Sequence, residues 1–144
     1  MAKIRLKIHT EIFNDVYIPC LKDNTPTQIL YGGSSSGKSF FLAQRTVLDL
    51  AEGGRNYLVV RNVANTIRKS AYNEIVKAIS NMKISKFFNI SKSEMTITCA
   101  NGYQILFCGL DDPEKIKSIT PAKGIITDIW IEEATEIEYA AYKQ

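Results

Sequence analysis

The order of the predicted elements indicates an α/β domain built on a mainly parallel sheet. Short apolar runs at residues 56–61 and 125–131 have the length of buried strands, and helical patterns separate them. Parallel strands need long crossover connections, which these helical segments provide. An Asn-Gly pair predicts an antiparallel β-hairpin at about residues 94–108, which we expect as an insertion or at an edge of the sheet.

The first third of the chain is predicted to contain two strands and one helix. Residues 3–8 alternate apolar and charged side chains, as a half-buried strand does. Residues 28–31 form a short apolar run after an Asp-Asn-Thr-Pro turn, and a loop rich in Gly and Ser follows at 32–37. Residues 38–52 repeat apolar side chains every three or four positions, which predicts a helix that the Gly53-Gly54 pair ends.

The rest of the chain continues the alternation of strands and helices. The strand at 56–61 is compact and apolar, and the helix predicted next has its apolar side chains on one side. In chain order the further predicted elements are a helix at 66–82, hairpin strands at 95–99 and 103–108, a polar connection at 109–124 with one helical turn after Pro113, a strand at 125–131 and a helix that begins at 132. The length of 144 residues suits one domain.

Charge is distributed unevenly along the chain, although the net charge is only +3. Residues 55–92 contain eight Lys or Arg against the single acid Glu74, whereas residues 128–144 contain five acids against Lys143. The basic segment could face a polyanion, or it could be the solvated face of a helix. No run approaches the roughly 20 apolar residues that span a bilayer, so we expect no membrane association.

The three cysteines, Cys20, Cys99 and Cys108, suggest neither a disulfide framework nor a zinc site. If the hairpin has a two-residue loop, Cys99 faces Gln104, and Cys108 then lies roughly 13 Å further along the strand. A disulfide needs Cα atoms within about 7 Å. The N-terminus lacks the continuous apolar core of a signal peptide. These features fit a protein of a reducing cytoplasm.

The loop between the predicted strand and helix matches the phosphate-binding pattern G-x-x-x-x-G-K-[ST]. Its glycines allow backbone N–H groups to turn inward, and the following helix start adds further N–H groups. Lys38 would reach the β- and γ-phosphates, and the Ser39 hydroxyl would bind Mg²⁺. The predicted nucleotide-binding residues are Gly32, Gly33, Ser34, Ser35, Ser36, Gly37, Lys38 and Ser39. The alternative is a serine-rich surface loop.

Two adjacent acids follow the apolar strand near the end of the chain. Glu132 and Glu133 would lie at its carboxyl end, where open α/β sheets bind ligands. We assign Glu132 to the Mg²⁺ shell and Glu133 to the water that attacks the γ-phosphate. The alternative is an ordinary acidic first turn of a helix. A second acid is typical of P-loop proteins that hydrolyse ATP, so these residues predict an ATPase of the motor and hydrolase branch, the ASCE type.

Four segments in this order resemble the ATPase half of bacteriophage terminase large subunits of the PBSX-like group. They are "LYGGSSSGKS", "VVRNVANTIRKSAYNEI", "GLDDPEKIKSI" and "IWIEEATEI". The resemblance implies a motor that hydrolyses ATP to move double-stranded DNA into a procapsid through the portal protein. It also implies a terminase small subunit as partner, a homo-oligomeric ring, and a location in the host cytoplasm.

The resemblance assigns residues one by one and leaves part of the family's pattern unmatched. The phosphate loop at 32–39 carries over with Lys38, and the Walker B segment at 127–133 carries over with Glu132 as its acid and Glu133 as the catalytic glutamate. Many relatives have Arg where Ser34 stands, so another arginine would have to stabilise the transition state. Arg61 matches a common arginine without an assigned role.

The chain is expected to be the N-terminal part of such an ATPase domain, incomplete at its C-terminus. Gln144 lies only eleven residues after Glu133, and the family's C-terminal nuclease domain is not in this sequence. The sequence leaves two alternatives open. One is a non-catalytic nucleotide-binding or assembly fragment. The other is a different P-loop DNA motor, such as a helicase-like ATPase.

Overall fold

Five strands form a single mixed sheet in the computed structural model, which describes residues 3–137. The strands lie side by side in the order β2-β3-β4-β1-β5. Strand β1 is parallel to both β4 and β5, whereas β3 is antiparallel to both β2 and β4. Their bounds are β1 Tyr57–Arg61, β2 Phe88–Ser91, β3 Thr96–Cys99, β4 Gln104–Gly109 and β5 Asp128–Ile131. The predicted α/β class and the antiparallel hairpin are therefore confirmed. The hairpin is not itself the edge of the sheet, because β2 pairs with the outer side of β3 and β4 pairs with β1.

Four α-helices and several shorter helical turns connect the strands in this part of the chain. The α-helices are α1 Lys38–Glu52, α2 Ala64–Ile67, α3 Asn73–Asn81 and α4 Pro113–Ser118. A π-helical turn, Arg68–Tyr72, separates α2 from α3. The 3-10 turns are Thr10–Ile12, Asp15–Cys20, Ser85–Phe87 and Ala134–Glu136. Within the described part of the chain, no helix is both long and apolar enough to span a bilayer.

The main core lies between the sheet and the pair of helices α1 and α3. Phe41, Leu50, Ile75 and Val59 are all buried there. The opposite face of the sheet has a smaller cluster around Leu58. Neighbouring residues of β1 join different clusters because successive strand side chains point to opposite faces. Helix α1 ends shortly before β1 begins and runs back along the sheet. The N-terminus of α1 therefore lies at the carboxyl ends of the parallel strands β1 and β5.

Two predicted strands are absent from the described residues. Residues 3–8 form no strand, and Ile4 and Leu6 are exposed there. Residues 28–31 also form no strand, and Ile29 is 81% exposed. A strand exists only through its pairing with a neighbour, and among the described strands β5 pairs with β1 alone. The apolar patterns alone therefore predicted pairing that the structure does not contain.

The hairpin has a three-residue loop, so the predicted two-residue register is wrong by one position. Cys99 pairs with Tyr103 through a 2.9 Å bond from its N–H to the Tyr103 carbonyl. Gly102 takes a φ of 92°, the left-handed conformation that closes three-residue loops. Cys99 and Cys108 are both buried free thiols.

Two further differences concern helices and a missed strand. The helix predicted at 66–82 is interrupted by the π-helical turn, and the short strand β2 was not predicted. After Glu133 the structure shows the single 3-10 turn Ala134–Glu136 instead of the start of an α-helix. The part of the predicted helix at 138–144 lies outside the described residues.

Candidate functional site

The phosphate loop has a backbone suited to hold an anion. Gly37 precedes helix α1 with a φ of 81°, and Gly32 has a φ of 152°. Among residues 3–137, no side chain caps the N-terminus of α1, whereas the Asp112 carboxylate caps α4 by accepting from the Lys115 N–H at 3.1 Å. The first N–H groups of α1 therefore lack a side-chain acceptor within this part of the chain, and a phosphate oxygen would supply one.

The Lys38 ammonium is folded back onto the loop. It donates to the carbonyls of Gly32 at 2.7 Å and Gly33 at 3.0 Å, and to the Ser36 hydroxyl at 3.0 Å. A Cβ placed on Gly32 would lie 3.4 Å from the Ser36 hydroxyl oxygen and 3.9 Å from the Lys38 nitrogen. The loop thus surrounds its own cation closely, and a phosphate would offer that ammonium a charged acceptor in exchange for carbonyls.

Tyr17 supports the loop from outside the motif. Its hydroxyl donates to the Ser36 carbonyl at 2.9 Å, and its ring stacks on Phe41 of α1 with centroids 4.8 Å apart. A Cβ on Gly37 would lie 3.8 Å from the same ring. Tyr17 was not predictable from the sequence, because a single tyrosine in a 3-10 turn carries no spacing that points to the loop.

A second support holds the segment that leads into the loop. Arg45 of α1 is buried, and its guanidinium donates to the Gln28 side-chain oxygen and to the Asp23 carbonyl. Beyond it, the Tyr57 hydroxyl donates to the Asp49 carboxylate, and Arg55 lies 3.1 Å from the same carboxylate. Burial raises the pKa of Asp49 and, together with the bond to Asp49, the pKa of Tyr57.

The two predicted acids have different surroundings at the end of β5. Glu132 is buried, and its Oε2 accepts from the Ser70 hydroxyl at 2.6 Å and from the Ala71 N–H at 3.4 Å. The Arg61 guanidinium lies 3.9 Å from the same oxygen. Glu133 is exposed and has a left-handed φ of 52°. The chain therefore turns sharply at Glu133, which separates the two carboxylates.

The phosphate loop and the two acids lie at the same end of the sheet, because the start of α1 and the carboxyl end of β5 both lie there. Across the described residues, no hydrogen bond or ion pair joins Lys38 or Ser39 to Glu132 or Glu133. The motifs predicted that these groups lie at the same end of the sheet. The contacts of Glu132 with Ser70 and Arg61 were not predicted.

The basic segment is not one uniform surface. Arg55 pairs with Asp49, and Arg61 lies near both Glu132 and Glu136, so these two arginines face acids of the same chain. Lys83 and Lys86 lie apart from them and line a pocket of about 350 Å³ together with Arg5 and Lys7. Some cations of this segment therefore lie close to acids of the same chain, and others form a cluster at the surface.

The fold and the phosphate loop together define a P-loop NTPase domain. The structure is similar to one crystal form of a large terminase from a thermophilic bacteriophage, with a TM-score of 0.59 and 11% identity over 78% of this chain and 28% of that chain. Another crystal form of the same phage protein gives a TM-score of 0.54 at 12% identity, over 78% and 26% of the two chains. At this identity the similarity establishes the fold alone.

The sequence comparisons identify the family. The family described as phage terminase large subunit matches residues 24–144, so the chain belongs to the phage terminase large subunit family. It is 32% identical over 140 residues to the terminase large subunit of Bacillus phage SPP1, covering 96% of this chain and 33% of that protein. It is 35% identical over 117 residues to the PBSX phage terminase large subunit of Bacillus subtilis (strain 168), covering 81% and 26%. The chain thus spans about a third or less of the length of these relatives.

Proposed function

We propose that this chain is the N-terminal part of the ATPase domain of a phage terminase large subunit, and that it binds and hydrolyses ATP to drive viral DNA into a procapsid. The observation that carries the proposal is the uncapped start of α1 beneath the loop that holds Lys38. An anion with several negative oxygens fits this combination of free N–H groups and one ammonium. Membership of the terminase family connects nucleotide binding to DNA packaging.

Within this function, each site residue receives one role. Residues 32–39 bind the phosphates, and the Lys38 ammonium moves from the loop carbonyls to the phosphate oxygens. The Ser39 hydroxyl and the Glu132 carboxylate are the oxygen donors that would hold Mg²⁺, which when bound neutralises phosphate charge. Glu133 is exposed and can orient the attacking water and accept its proton.

The transition-state charge needs a further cation, because Ser34 cannot supply one. Arg61 lies within ion-pair distance of Glu132 and Glu136 at the end of β1, and it is one source of such a cation. A neighbouring subunit of a homo-oligomeric ring is the other source of an arginine. We therefore include such a ring in the proposal, with the portal protein and the terminase small subunit as partners in the host cytoplasm.

Double-stranded DNA is the proposed polymer substrate of the motor. A motor that moves any sequence needs contacts to the phosphate backbone and no base reading. Lys83 and Lys86 offer such contacts together with Arg5 and Lys7 around the surface pocket. Changing Lys83 and Lys86 together to Ala should lower DNA affinity and make the salt dependence shallower, whereas Lys117→Ala on α4 should not. Affinity that barely changes between low and moderate salt would contradict this part of the proposal.

Two substitutions test the ATPase assignment. Lys38→Ala should abolish nucleotide binding in calorimetry with a non-hydrolysable ATP analogue. Glu133→Gln should keep binding and lose phosphate release, whereas Glu114→Gln, an exposed acid on α4, should change neither. Equal turnover in Glu133→Gln and in the parent chain would remove Glu133 from the mechanism. Binding without any phosphate release by the parent would favour a non-catalytic nucleotide-binding or assembly fragment.

A helicase-like ATPase is the competing motor of the same fold. DNA-stimulated strand separation would favour it, and dependence of activity on a portal protein would exclude it. The terminase family match over residues 24–144 supports packaging instead.

A further inference from the structure

The helix between β1 and the hairpin contains an interruption that its sequence does not require. The π-helical turn Arg68–Tyr72 includes Ser70 with a φ of −117° and a ψ of −105°, outside the helical region. Such interruptions usually follow from Pro, from Gly or from a group inserted into the helix. This turn contains neither Pro nor Gly. π-helical turns are frequent at functional sites, so the contacts that this turn makes are candidates for a functional role.

The interruption directs two hydrogen-bond donors at one carboxylate. The Ser70 hydroxyl lies 2.6 Å from Glu132 Oε2, and the Ala71 N–H lies 3.4 Å from the same oxygen. Ser70 and Glu132 are 62 residues apart in sequence, so the contact depends on the fold. A hydrogen bond of this length to a carboxylate is among the strong ones in proteins.

The Ser70 hydroxyl has one proton and three acceptors within reach. These are Glu132 Oε2, the Thr66 carbonyl at 2.9 Å and the Ile67 carbonyl at 3.4 Å. The ionised carboxylate is the strongest of the three acceptors, so the proton goes to Glu132. If the proton went to Thr66 instead, the serine lone pairs would face the carboxylate at short range.

The contacts from the described residues to the Glu132 carboxylate all involve one of its two oxygens. Ser70, Ala71 and Arg61 approach Oε2. Oε1 has no hydrogen-bond or ion-pair partner among residues 3–137. A metal-binding carboxylate that is itself hydrogen-bonded by neighbouring groups is the usual arrangement in metal sites.

We propose that Ser70 is a positioning residue for Glu132, and that the interrupted helical turn serves to aim the Glu132 carboxylate at Mg²⁺. This inference rests on the proposed ATPase function and adds to it a residue outside the phosphate loop and the Walker B segment. Packing alone accounts for the burial of Ala71 and Tyr72 in the same turn. Packing does not account for the hydrogen bond from the Ser70 hydroxyl to the buried Glu132 carboxylate.

The test compares three variants of the 144-residue chain with the parent. Ser70→Ala removes the donor, Ser70→Thr keeps a hydroxyl at the same place, and Ser80→Ala removes an exposed serine from α3 of the same helical segment. Calorimetry measures the affinity for a non-hydrolysable ATP analogue with Mg²⁺ and with EDTA. Urea unfolding gives the stability of each variant.

Ser70→Ala should raise the Mg²⁺ concentration for half-maximal binding about tenfold, in line with the effect of removing a partner of a metal ligand. Affinity in EDTA should stay unchanged, and Ser70→Thr should restore the parent Mg²⁺ requirement. A structural role alone would lower stability and leave the Mg²⁺ requirement unchanged. If Ser70→Ala does not fold, Ser70→Cys, which replaces the hydroxyl with a larger and weakly donating thiol, should show a shift in the same direction.

The outcomes separate this inference from the function on which it rests. If the parent shows Mg²⁺-dependent binding and Ser70→Ala has the parent requirement, the role of Ser70 is refuted and the ATPase proposal stands. The same conclusion follows if Ser70→Thr shifts as far as Ser70→Ala. If the parent binds no nucleotide under either condition, both proposals are refuted.

Discussion

Loss of Asn56 should disturb β5, the strand that precedes the two acids. Asn56 lies just before β1 and is only 1% exposed. Its side-chain oxygen accepts from the Gln104 N–H at 2.8 Å, and its side-chain nitrogen donates to the carbonyls of Lys123 at 2.6 Å and Ile125 at 2.9 Å. One side chain therefore joins the start of β4 to the segment that leads into β5.

Asn56→Ala would leave those three backbone groups without their partners. An unsatisfied buried donor or acceptor costs about 1–3 kcal/mol. The two carbonyls belong to exposed residues, Lys123 and Ile125, so water can partly replace the amide there and the low end of the range applies. The expected loss is about 3–5 kcal/mol in total. That is a large share of the roughly 5–15 kcal/mol by which a domain is stable.

Urea unfolding followed by fluorescence measures this loss directly. Trp130 is the single tryptophan, lies in β5 and is buried, so its emission reports on the strand that Asn56 supports. Asn65→Ala, an exposed asparagine in α2, is the matched control and should change stability by less than about 0.5 kcal/mol. A loss below about 1 kcal/mol for Asn56→Ala would refute the reasoning, because it would mean that water satisfies all three groups.

Three further changes test the surroundings of the phosphate loop and the buried carboxylate of Asp49. Tyr17→Phe keeps the stacking on Phe41 but removes the bond to Ser36, so calorimetry should show a nucleotide affinity a few-fold weaker; parent affinity would contradict this. Gly37→Ala should lower stability by about 1–2 kcal/mol because of its left-handed φ, whereas Gly33→Ala has open space and should not; equal urea midpoints would contradict the strain argument. Burial raises the folded-state pKa of Asp49 above its unfolded value, so its contribution to stability is present below the unfolded pKa and is lost as pH rises through the folded pKa. The free energy of unfolding should therefore fall less between pH 4 and pH 7 in Asp49→Asn than in the parent. Parallel pH profiles of the two proteins would exclude Asp49 as the source of the pH dependence.

Features with local causes were predictable from the sequence. Helix α1 was predicted with its observed bounds, because a motif that requires a helix start precedes it and a glycine pair follows it. The strand β1 was predicted within one residue for a similar reason, since its apolar run is short and bounded. In both cases the signals lie within a few residues of the element that they define.

Features decided by distant contacts were not predictable. The hairpin loop takes three residues, and the Asn101 side chain donates to the Leu50 carbonyl at the end of α1, a contact across 51 positions. Strand β2 exists through its pairing with β3, and the residues of its short run carry little pattern of their own. At the site, Tyr17 and Ser70 escaped prediction because each acts on a group far away in sequence.

The two adjacent glutamates show how the fold separates residues that the sequence presents as equivalent. Neighbouring side chains at the end of an extended strand point to opposite sides, and the left-handed φ of Glu133 adds a turn between them. Glu132 consequently enters a buried set of donors, while Glu133 remains exposed. A carboxylate held through one oxygen suits a fixed metal ligand, and an exposed one suits a group that meets water. This difference supports the roles proposed for the two acids. It also predicts an asymmetry: exchanging Ser70 should affect the Mg²⁺ requirement, which depends on Glu132, and spare the water-dependent step assigned to Glu133 once Mg²⁺ is saturating.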